Sequence, residues 1–319
     1  RAVPEESAPA APGDEIVAEG QENFQNVRSQ VKRSKLGGRK FVRDMPWYVI
    51  IGPPGTGKTT ALKQSGLHFP IDLSDDLKGI GGTRNCDWFF TEDVVLIDTA
   101  GRYVEQKSDP DVDSTEWFGF LRVLKKHRGR RALNGVILTL SVQELTESEA
   151  ELREHGRQIR KRLGELRDEL GIDLPVYLLI TKADLIVGFE AFFNDLSTRE
   201  REQVWGATLP VGARVHGDTV EQEMKALLAE LEHRTTNRVA DDVPVADRAA
   251  AFRFPAQLDA LTRPLKQLIE TVFGESRFDD PGQLRGFYFT SATQEGSPVD
   301  VLVGGIAANF GLPQPTISA

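Results

Sequence analysis

Short runs of apolar residues alternate with amphipathic stretches along residues 46–186. The runs are rich in β-branched and aromatic side chains, which is typical of buried strands; in chain order they read WYVII, CDWFF, VVLID, GVILTLS and VYLLIT. Between the last two runs, leucine and isoleucine recur at helical spacing up to Gly171, a residue that favours a helix end. This alternation predicts an α/β fold with a mostly parallel sheet and helices on both faces.

Local signals refine two connections in this region. Only three polar residues, TED, separate the second run from the third, which predicts a hairpin and therefore antiparallel neighbours. Thr146 is followed three residues later by Glu149, and the pair predicts a capping box at the start of the long amphipathic helix.

The pattern changes after residue 186. Three helical patterns follow one another, FEAFFNDL, QEMKALLAELEHR and AAFRFPAQLDALTRPLKQLIETVF, and no strand signal is clear among them. A strand pattern returns with RGFYFTSA from residue 285. We therefore expect a helical subdomain inserted between two strands of the sheet. The predicted organisation is a disordered linker (1–13), an N-terminal helix and lead-in (14–45), an α/β core (46–186), the helical insertion (187–284), and a final core strand with a tail (285–319).

The first apolar run leads directly into GPPGTGKT, a loop of the Gly-x4-Gly-Lys-Thr type. Such a loop between a strand and a helix holds phosphate with its backbone N–H groups, because glycine lets the backbone approach closely. Lys58 is expected to reach the β- and γ-phosphates and Thr59 to hold Mg²⁺, at the positive end of the helix that begins there. The loop thus predicts a P-loop NTPase core. Its predicted nucleotide-binding residues are Gly52, Pro53, Pro54, Gly55, Thr56, Gly57, Lys58, Thr59 and Thr60.

A second motif, the stretch DTAG (98–101), ends the third run. The Asp98 carboxylate is suited to hold Mg²⁺ through water, and the Gly101 N–H is suited to bond the γ-phosphate. Thr83 lies in the Gly-rich loop before the hairpin. It is either a residue that joins the Mg²⁺ shell only while γ-phosphate is present, or an ordinary polar loop residue. The predicted metal-binding residues are Thr59, Thr83 and Asp98.

Two further motifs suit recognition of a guanine base. The stretch TKAD (181–184) follows the fifth run, and Asp184 can accept from both the N1–H and the exocyclic amine of guanine. The Lys182 stem can cover the base, and a backbone N–H in the stretch SA (291–292) can bond the guanine carbonyl. A helix cap and an ordinary turn are the alternative interpretations. The order of the motifs is that of a small-GTPase-like fold and favours GTP. The predicted base-side residues are Thr181, Lys182, Asp184, Ser291 and Ala292.

Arg102 occupies the position after D-x-x-G where small GTPases usually place a glutamine that orients water. An arginine cannot act as a general base, but it can stabilise charge in a transition state. We therefore expect slow hydrolysis, or hydrolysis that needs a partner, with Lys58, Thr83 and Arg102 as the predicted catalytic residues. DTAGR also occurs in signal-recognition-particle GTPases, but the predicted hairpin favours the small-GTPase-like arrangement.

Composition and charge narrow the classes of partner. The formal net charge is −9, which disfavours nucleic acid as a partner. Cys86 is the single cysteine, so no internal disulfide can form and a reducing compartment is expected. The five histidines lack the spacing of metal ligands, and no apolar stretch is long enough to span a bilayer.

Three segments together resemble the TssM/IcmF family of type VI secretion components: PWYVIIGPPGTGKTTAL, GGTRNCDWFFTEDVVLIDTAGRY and FEAFFNDLSTREREQVWGATLP. The resemblance covers residues 40–210. It implies an NTPase-like domain on the cytoplasmic side of the bacterial inner membrane, in a protein whose membrane segments lie outside this chain. The partners it implies are TssL and baseplate proteins, whereas TssJ engages a periplasmic region that is absent here.

The motifs and the resemblance together predict a Mg²⁺-dependent switch. GTP would order the loops around Thr83 and Gly101, and slow hydrolysis would release them. Two alternatives stay open at this point. The nucleotide can be ATP, because the motifs of the family do not settle the base. The domain can also be a structural docking module that binds nucleotide with little turnover.

Overall fold

The computed structural model describes residues 45–69, 86–105, 110–212, 215, 217–240, 244–275, 282–291 and 300–302, together with the single positions 25 and 29. The predicted linker 1–13 and almost all of the predicted N-terminal helix lie outside these residues. Thr83, Ala292 and the tail after residue 302 also lie outside them.

In the described part of the chain, seven strands form one sheet in the order β2-β3-β1-β4-β5-β7-β6. The strands are β1 Trp47–Ile51, β2 Cys86–Phe90, β3 Val95–Thr99, β4 Gly135–Ser141, β5 Pro175–Thr181, β6 Trp205–Thr208 and β7 Gln283–Phe289. The five central strands are parallel, and β2 and β6 are antiparallel at the two edges. The predicted mostly parallel sheet is confirmed, as is the hairpin of β2 and β3.

The helices of the described residues connect these strands. They are α1 Lys58–Lys63, α2 Arg102–Glu105, α3 Pro110–Arg128, α4 Val142–Leu145, α5 Glu149–Leu170, α6 Phe189–Phe193, α7 Thr198–Arg201, α8 Gly217–Ala240, α9 Val245–Asp259 and α10 Thr262–Phe273. Short 3₁₀ turns lie at Gly129–Arg131 and Ala183–Leu185.

The cap of the long helix α5 lies two residues later than predicted. Its capping box is formed by Ser148 and Glu151, so the prediction of Thr146 and Glu149 is wrong. Thr146 instead ends the preceding short helix α4, and Glu149 is the first residue of α5. Gly171 ends α5 in the left-handed conformation at φ 68, as predicted.

Helices lie on both faces of the sheet, as predicted. Successive residues of a strand point to opposite faces. Val49 and Ile51 of β1 belong to the large buried cluster that includes Trp117 of α3. Ile50, between them, belongs to a smaller cluster on the other face with Leu62 of α1. The larger core therefore lies on the face that α3 and α5 cover.

Residues 205–208 form β6, although no strand was predicted between residues 187 and 284. Trp205 pairs with Phe289 of β7, and their rings lie 4.9 Å apart. The Trp205 ring also lies 6.1 Å from that of Phe254 in α9. The expectation of a purely helical region is therefore wrong at this strand. Four residues carry too little pattern to indicate a strand, and long-range pairing and aromatic packing determine it.

The helical region shares its hydrophobic core with the rest of the sheet. Phe254 of α9 and Val272 of α10 belong to the same buried cluster as Leu138 of β4. Helix α10 lies directly against α5, where a Cβ atom on Gly156 would come within 2.7 Å of Thr271 Cγ2. Across the described ranges, none of the helices is both long and apolar enough to cross a membrane.

Candidate functional site

The loops that follow β1, β3, β5 and β7 meet at the edge of the sheet that the carboxyl ends of the parallel strands form. Parallel strands end at the same edge, and open α/β sheets bind ligands there. Lys58 follows β1, Asp98 is the second-last residue of β3, and Asp184 follows β5. The fold therefore brings together predicted site residues that lie far apart in the sequence.

The glycine-rich loop after β1 closes around its own lysine. Gly55 and Gly57 have φ angles of 77 and 79, which glycine adopts without strain. The Lys58 Nζ donates to the Gly52 and Pro53 carbonyl oxygens, at 2.8 Å each. Lys58 is only 8% exposed. The lysine is thus held beneath the loop, with its ammonium group where the loop begins.

Asp98 contacts this loop through Thr59. The Thr59 Oγ1 donates to Asp98 Oδ2 at 2.5 Å, which joins residues 39 positions apart. The other carboxylate oxygen, Oδ1, is buried and has no hydrogen-bond partner among the described residues. The pKa of Asp98 is raised to about 6, chiefly by burial and also by Asp87 opposite it in β2, although the Thr59 hydrogen bond and the Lys58 charge lower it. The site thus contains a buried carboxylate with an unused oxygen.

These oxygen atoms fit a Mg²⁺ ion. Mg²⁺ prefers oxygen ligands and is usually held by one or two carboxylates together with the phosphates of a substrate. Within the part of the chain that the structure describes, no group of three or more His, Cys, Asp or Glu side chains is placed to hold a metal ion. A cation at this edge would therefore rest on Thr59, Asp98 and the oxygens that a ligand brings.

Gly101, in the turn after β3, packs directly on the glycine-rich loop. A Cβ atom at this position would lie 2.4 Å from the Pro54 nitrogen and 2.6 Å from its Cα. Only glycine permits so close an approach of two backbones. The turn that carries the predicted γ-phosphate contact is therefore in contact with the loop predicted to hold the phosphates.

The two predicted base-side motifs also meet. The Ser291 hydroxyl donates to Asp184 Oδ1 at 2.8 Å, which joins residues 107 positions apart. Lys182 has a positive φ of 58, and its Nζ donates to Gln143 Oε1 at 3.0 Å. The Ala183 N–H donates to the Thr290 carbonyl at 3.1 Å. Backbone and side chain thus hold the two motifs together although the helical region separates them in sequence.

A set of buried threonine hydroxyls connects the two halves of the site. The Thr181 Oγ1 donates to the Thr56 carbonyl oxygen at 2.5 Å, and the Thr56 and Thr139 hydroxyls lie 3.1 Å apart. Thr139 was not predicted as a site residue. Its one signal in the sequence is a hydroxyl in the middle of the apolar run GVILTLS.

Arg102 is held against α3. Its Nη2 donates to Glu116 Oε2 at 2.6 Å, and its Nε lies 3.1 Å from Asp113 Oδ1. Asp113 is 3% exposed. The guanidinium group predicted to act on a phosphate is thus bound by two carboxylates of a neighbouring helix.

Of the remaining predicted residues, some are described by the structure and two lie outside the described residues. Pro54 and Gly55 are exposed at the mouth of the loop, and Thr60 is half-buried in α1. Thr83 and Ala292 lie outside the described residues, so their roles stay predictions.

The sheet order and the edge where these loops meet define an α/β protein with a candidate ligand site at the carboxyl ends of its parallel strands. The family model for the IcmF-related N-terminal domain matches residues 110–319. The type VI secretion system component TssM1 of Pseudomonas aeruginosa is 44% identical over 292 residues, which cover 88% of this chain and 26% of that protein. The chain therefore belongs to the TssM/IcmF family.

The two matches differ in how much of the chain they cover. The family model begins at residue 110, after the glycine-rich loop and Asp98. The match to TssM1 covers most of the chain, yet the chain spans about a quarter of the length of that relative.

Proposed function

We propose that this chain is a small-GTPase-like P-loop NTPase domain that binds GTP with Mg²⁺ and hydrolyses it slowly. It acts as a nucleotide switch within a type VI secretion component. Its similarity to TssM1, a type VI secretion system component, supports that setting.

The observation that carries this proposal is the contact between Thr59 and Asp98 beside the buried Lys58. Burying a carboxylate and an ammonium group together is costly, and an apolar pair would often be at least as stable. The same three groups are what a Mg²⁺–phosphate ligand needs, namely a cation, a hydroxyl and a carboxylate with a free oxygen. Ligand binding therefore accounts for an arrangement that stability alone does not favour.

Each group has a distinct role in the bound state. Lys58 would hold the β- and γ-phosphates, and Thr59 and Asp98 would hold Mg²⁺. The ion, when bound, neutralises negative charge on the phosphate oxygens. Gly101 is close enough to the loop for its turn to respond to the terminal phosphate.

The base-side contacts favour guanine over adenine. A carboxylate accepts hydrogen bonds, and guanine offers two donors on one edge, its N1–H and its exocyclic amine. Ser291 fixes one oxygen of Asp184, which orients the carboxylate before a ligand arrives. Adenine presents an acceptor at the equivalent ring nitrogen, so ATP would leave Asp184 poorly matched.

The ion pairs of Arg102 support slow turnover. Its guanidinium group must leave Asp113 and Glu116 before it can stabilise charge on a phosphate. The same observation favours a second candidate function, a nucleotide-binding docking module that hardly turns over. In either case we propose that TssL and baseplate proteins are the partners, on the cytoplasmic side of the inner membrane.

Titration of fluorescent GTP and ATP into the chain with Mg²⁺ tests the proposal. We expect GTP to bind about tenfold more tightly than ATP, with slow single-turnover hydrolysis. Equal affinity would exclude the role of Asp184, and binding of neither nucleotide would exclude the whole proposal. Tight binding without measurable hydrolysis would favour the docking module, and a fast single-turnover rate would exclude a slow switch.

A further inference from the structure

The glycine-rich loop (residues 52–59), called the phosphate loop below, is attached to β4 by Thr139. The proposed function does not use this residue. Thr139 is fully buried, at 0% exposure. Its hydroxyl lies 3.1 Å from that of Thr56 and 3.3 Å from the Ile51 carbonyl oxygen, and its single proton can go to only one of them at a time. Thr56 in turn donates to the Pro53 carbonyl at 3.1 Å. The hydroxyl pair therefore connects both ends of the loop to the centre of the sheet.

Thr139 also fixes how closely the loop lies against β4. A Cβ atom on Gly52 would come within 2.2 Å of Thr139 Oγ1 and 2.4 Å of its carbonyl oxygen. Gly52 is the first residue of the loop, and its carbonyl accepts from Lys58. The position of the Lys58 ammonium group thus depends on a backbone that rests on Thr139.

We propose that Thr139 is a positioning residue that holds the phosphate loop, through Gly52 and Thr56, in the shape that grips a β-phosphate. This inference rests on the proposed nucleotide binding and adds to it a residue that does not touch the ligand. A hydroxyl is required here because a buried methyl group would remove the hydrogen bond between Thr139 and Thr56. The Thr56 hydroxyl would then be bonded only within its own loop, to the Pro53 carbonyl. A residue that merely filled space would not discriminate between ligands with and without a β-phosphate.

The test compares GDP with GMP on three variants. Thr139→Val removes the hydroxyl and keeps the β-branched shape, Thr139→Ser keeps the hydroxyl, and Thr91→Val is a control. Thr91 is also buried, and its hydroxyl bonds the Val94 carbonyl in the β2–β3 hairpin turn, away from the site. Calorimetric titration gives the two dissociation constants, and a thermal melt gives the stability of each variant.

We expect Thr139→Val to weaken GDP binding about tenfold and GMP binding about twofold or less, the loss that one buried hydrogen bond produces. Thr139→Ser should restore the wild-type ratio. Thr91→Val should lower the melting temperature and leave the ratio unchanged. If Thr139→Val leaves the ratio of the GDP and GMP dissociation constants unchanged, with or without an equal loss of both affinities, the inference is overturned. The proposed nucleotide binding would still stand.

Thr139→Ala provides a second variant if Thr139→Val folds poorly, since it removes the hydroxyl without placing a methyl group against Gly52. The same fall in the affinity ratio is expected, and an unchanged ratio overturns the inference. Failure of the wild-type chain to bind any guanine nucleotide overturns the proposed function and this inference together.

Discussion

The candidate site has a phosphate-side half around Lys58 and Asp98 and a base-side half around Asp184 and Ser291. The two halves differ in how deeply their side chains are buried. Lys58 and Asp98 are 8% and 5% exposed and are bonded to the loop around them. Asp184 is only half-buried and Ser291 is exposed. A preorganised half loses little entropy on binding and can supply affinity. The base side can select between ligands because the Asp184 carboxylate accepts hydrogen bonds that guanine offers and adenine does not. For the proposed nucleotide site, we therefore expect affinity to come from the phosphates and selectivity from the base.

The largest effect is expected from the phosphate side. Lys58→Ala should weaken nucleotide binding by about a thousandfold, because truncating one partner of a buried charged contact costs about 4 kcal/mol of binding free energy. Lys63→Ala, an exposed lysine at the other end of α1, is the matched control and should bind as wild type. Calorimetric titration of GTP measures both. Binding within threefold of wild type in Lys58→Ala would show that affinity does not come from this half.

Asp98 provides a pH-dependent test of the same half. Because the pKa of Asp98 rises from 3.8 to about 6 on folding, its ionisation destabilises the folded chain as pH rises from about 4 to about 6, and the cost is constant above. At pH 7 and without ligand, the free energy of unfolding of Asp98→Asn should therefore exceed that of wild type by up to about 3 kcal/mol. The gain should vanish near pH 4.

Urea denaturation across this pH range measures the difference between Asp98→Asn and wild type. Asp93→Asn, which removes an exposed carboxylate in the hairpin turn, is the control for the loss of a negative charge. A gain that is the same at pH 4 and pH 7 would mean that the burial of this charge is not what destabilises the chain.

On the base side we expect a smaller change in affinity and a clear change in selectivity. Asp184→Asn should weaken GTP binding about tenfold, the loss of one charge-assisted contact. It should strengthen binding of xanthosine triphosphate, since xanthine carries a carbonyl where guanine carries an amine and the asparagine amide can donate to it. Competition between the two nucleotides measures this, and an unchanged preference would show that Asp184 does not contact the base.

The smallest effect is expected at Ser291. Ser291→Ala removes an exposed hydrogen bond to Asp184 and should weaken GTP binding about threefold or less. Ser197→Ala removes a comparable exposed bond to Glu200 at the start of α7 and should not change binding. A loss at Ser291 as large as that at Lys58 would reverse the assignment of affinity to the phosphate side.

The core strands could be predicted because buried parallel strands read as continuous apolar runs. The strand β6 could not, since its residues WGAT form neither a run nor an alternation, and its pairing with β7 is long-range. The cap of α5 was misplaced for a local reason. Thr146 with Glu149 and Ser148 with Glu151 both fit the same pattern, and only the fold distinguishes them.

The site could be predicted to the extent that its chemistry requires fixed spacing along the chain. The loop after β1 and the motif at Asp98 meet that condition. Thr139 does not, because a threonine in GVILTLS looks like an ordinary strand residue until β4 is paired with β1. The ion pairs of Arg102 with Asp113 and Glu116 likewise depend on how α3 packs.

A crystal structure of the chain with Mg²⁺ and a non-hydrolysable GTP analogue tests most directly whether both halves bind one nucleotide. We predict phosphates at Lys58, a cation beside Thr59 and Asp98, and the guanine edge against Asp184. A nucleotide bound away from the loop after β1, or a base that leaves Asp184 bonded to Ser291 alone, would contradict this division of the site.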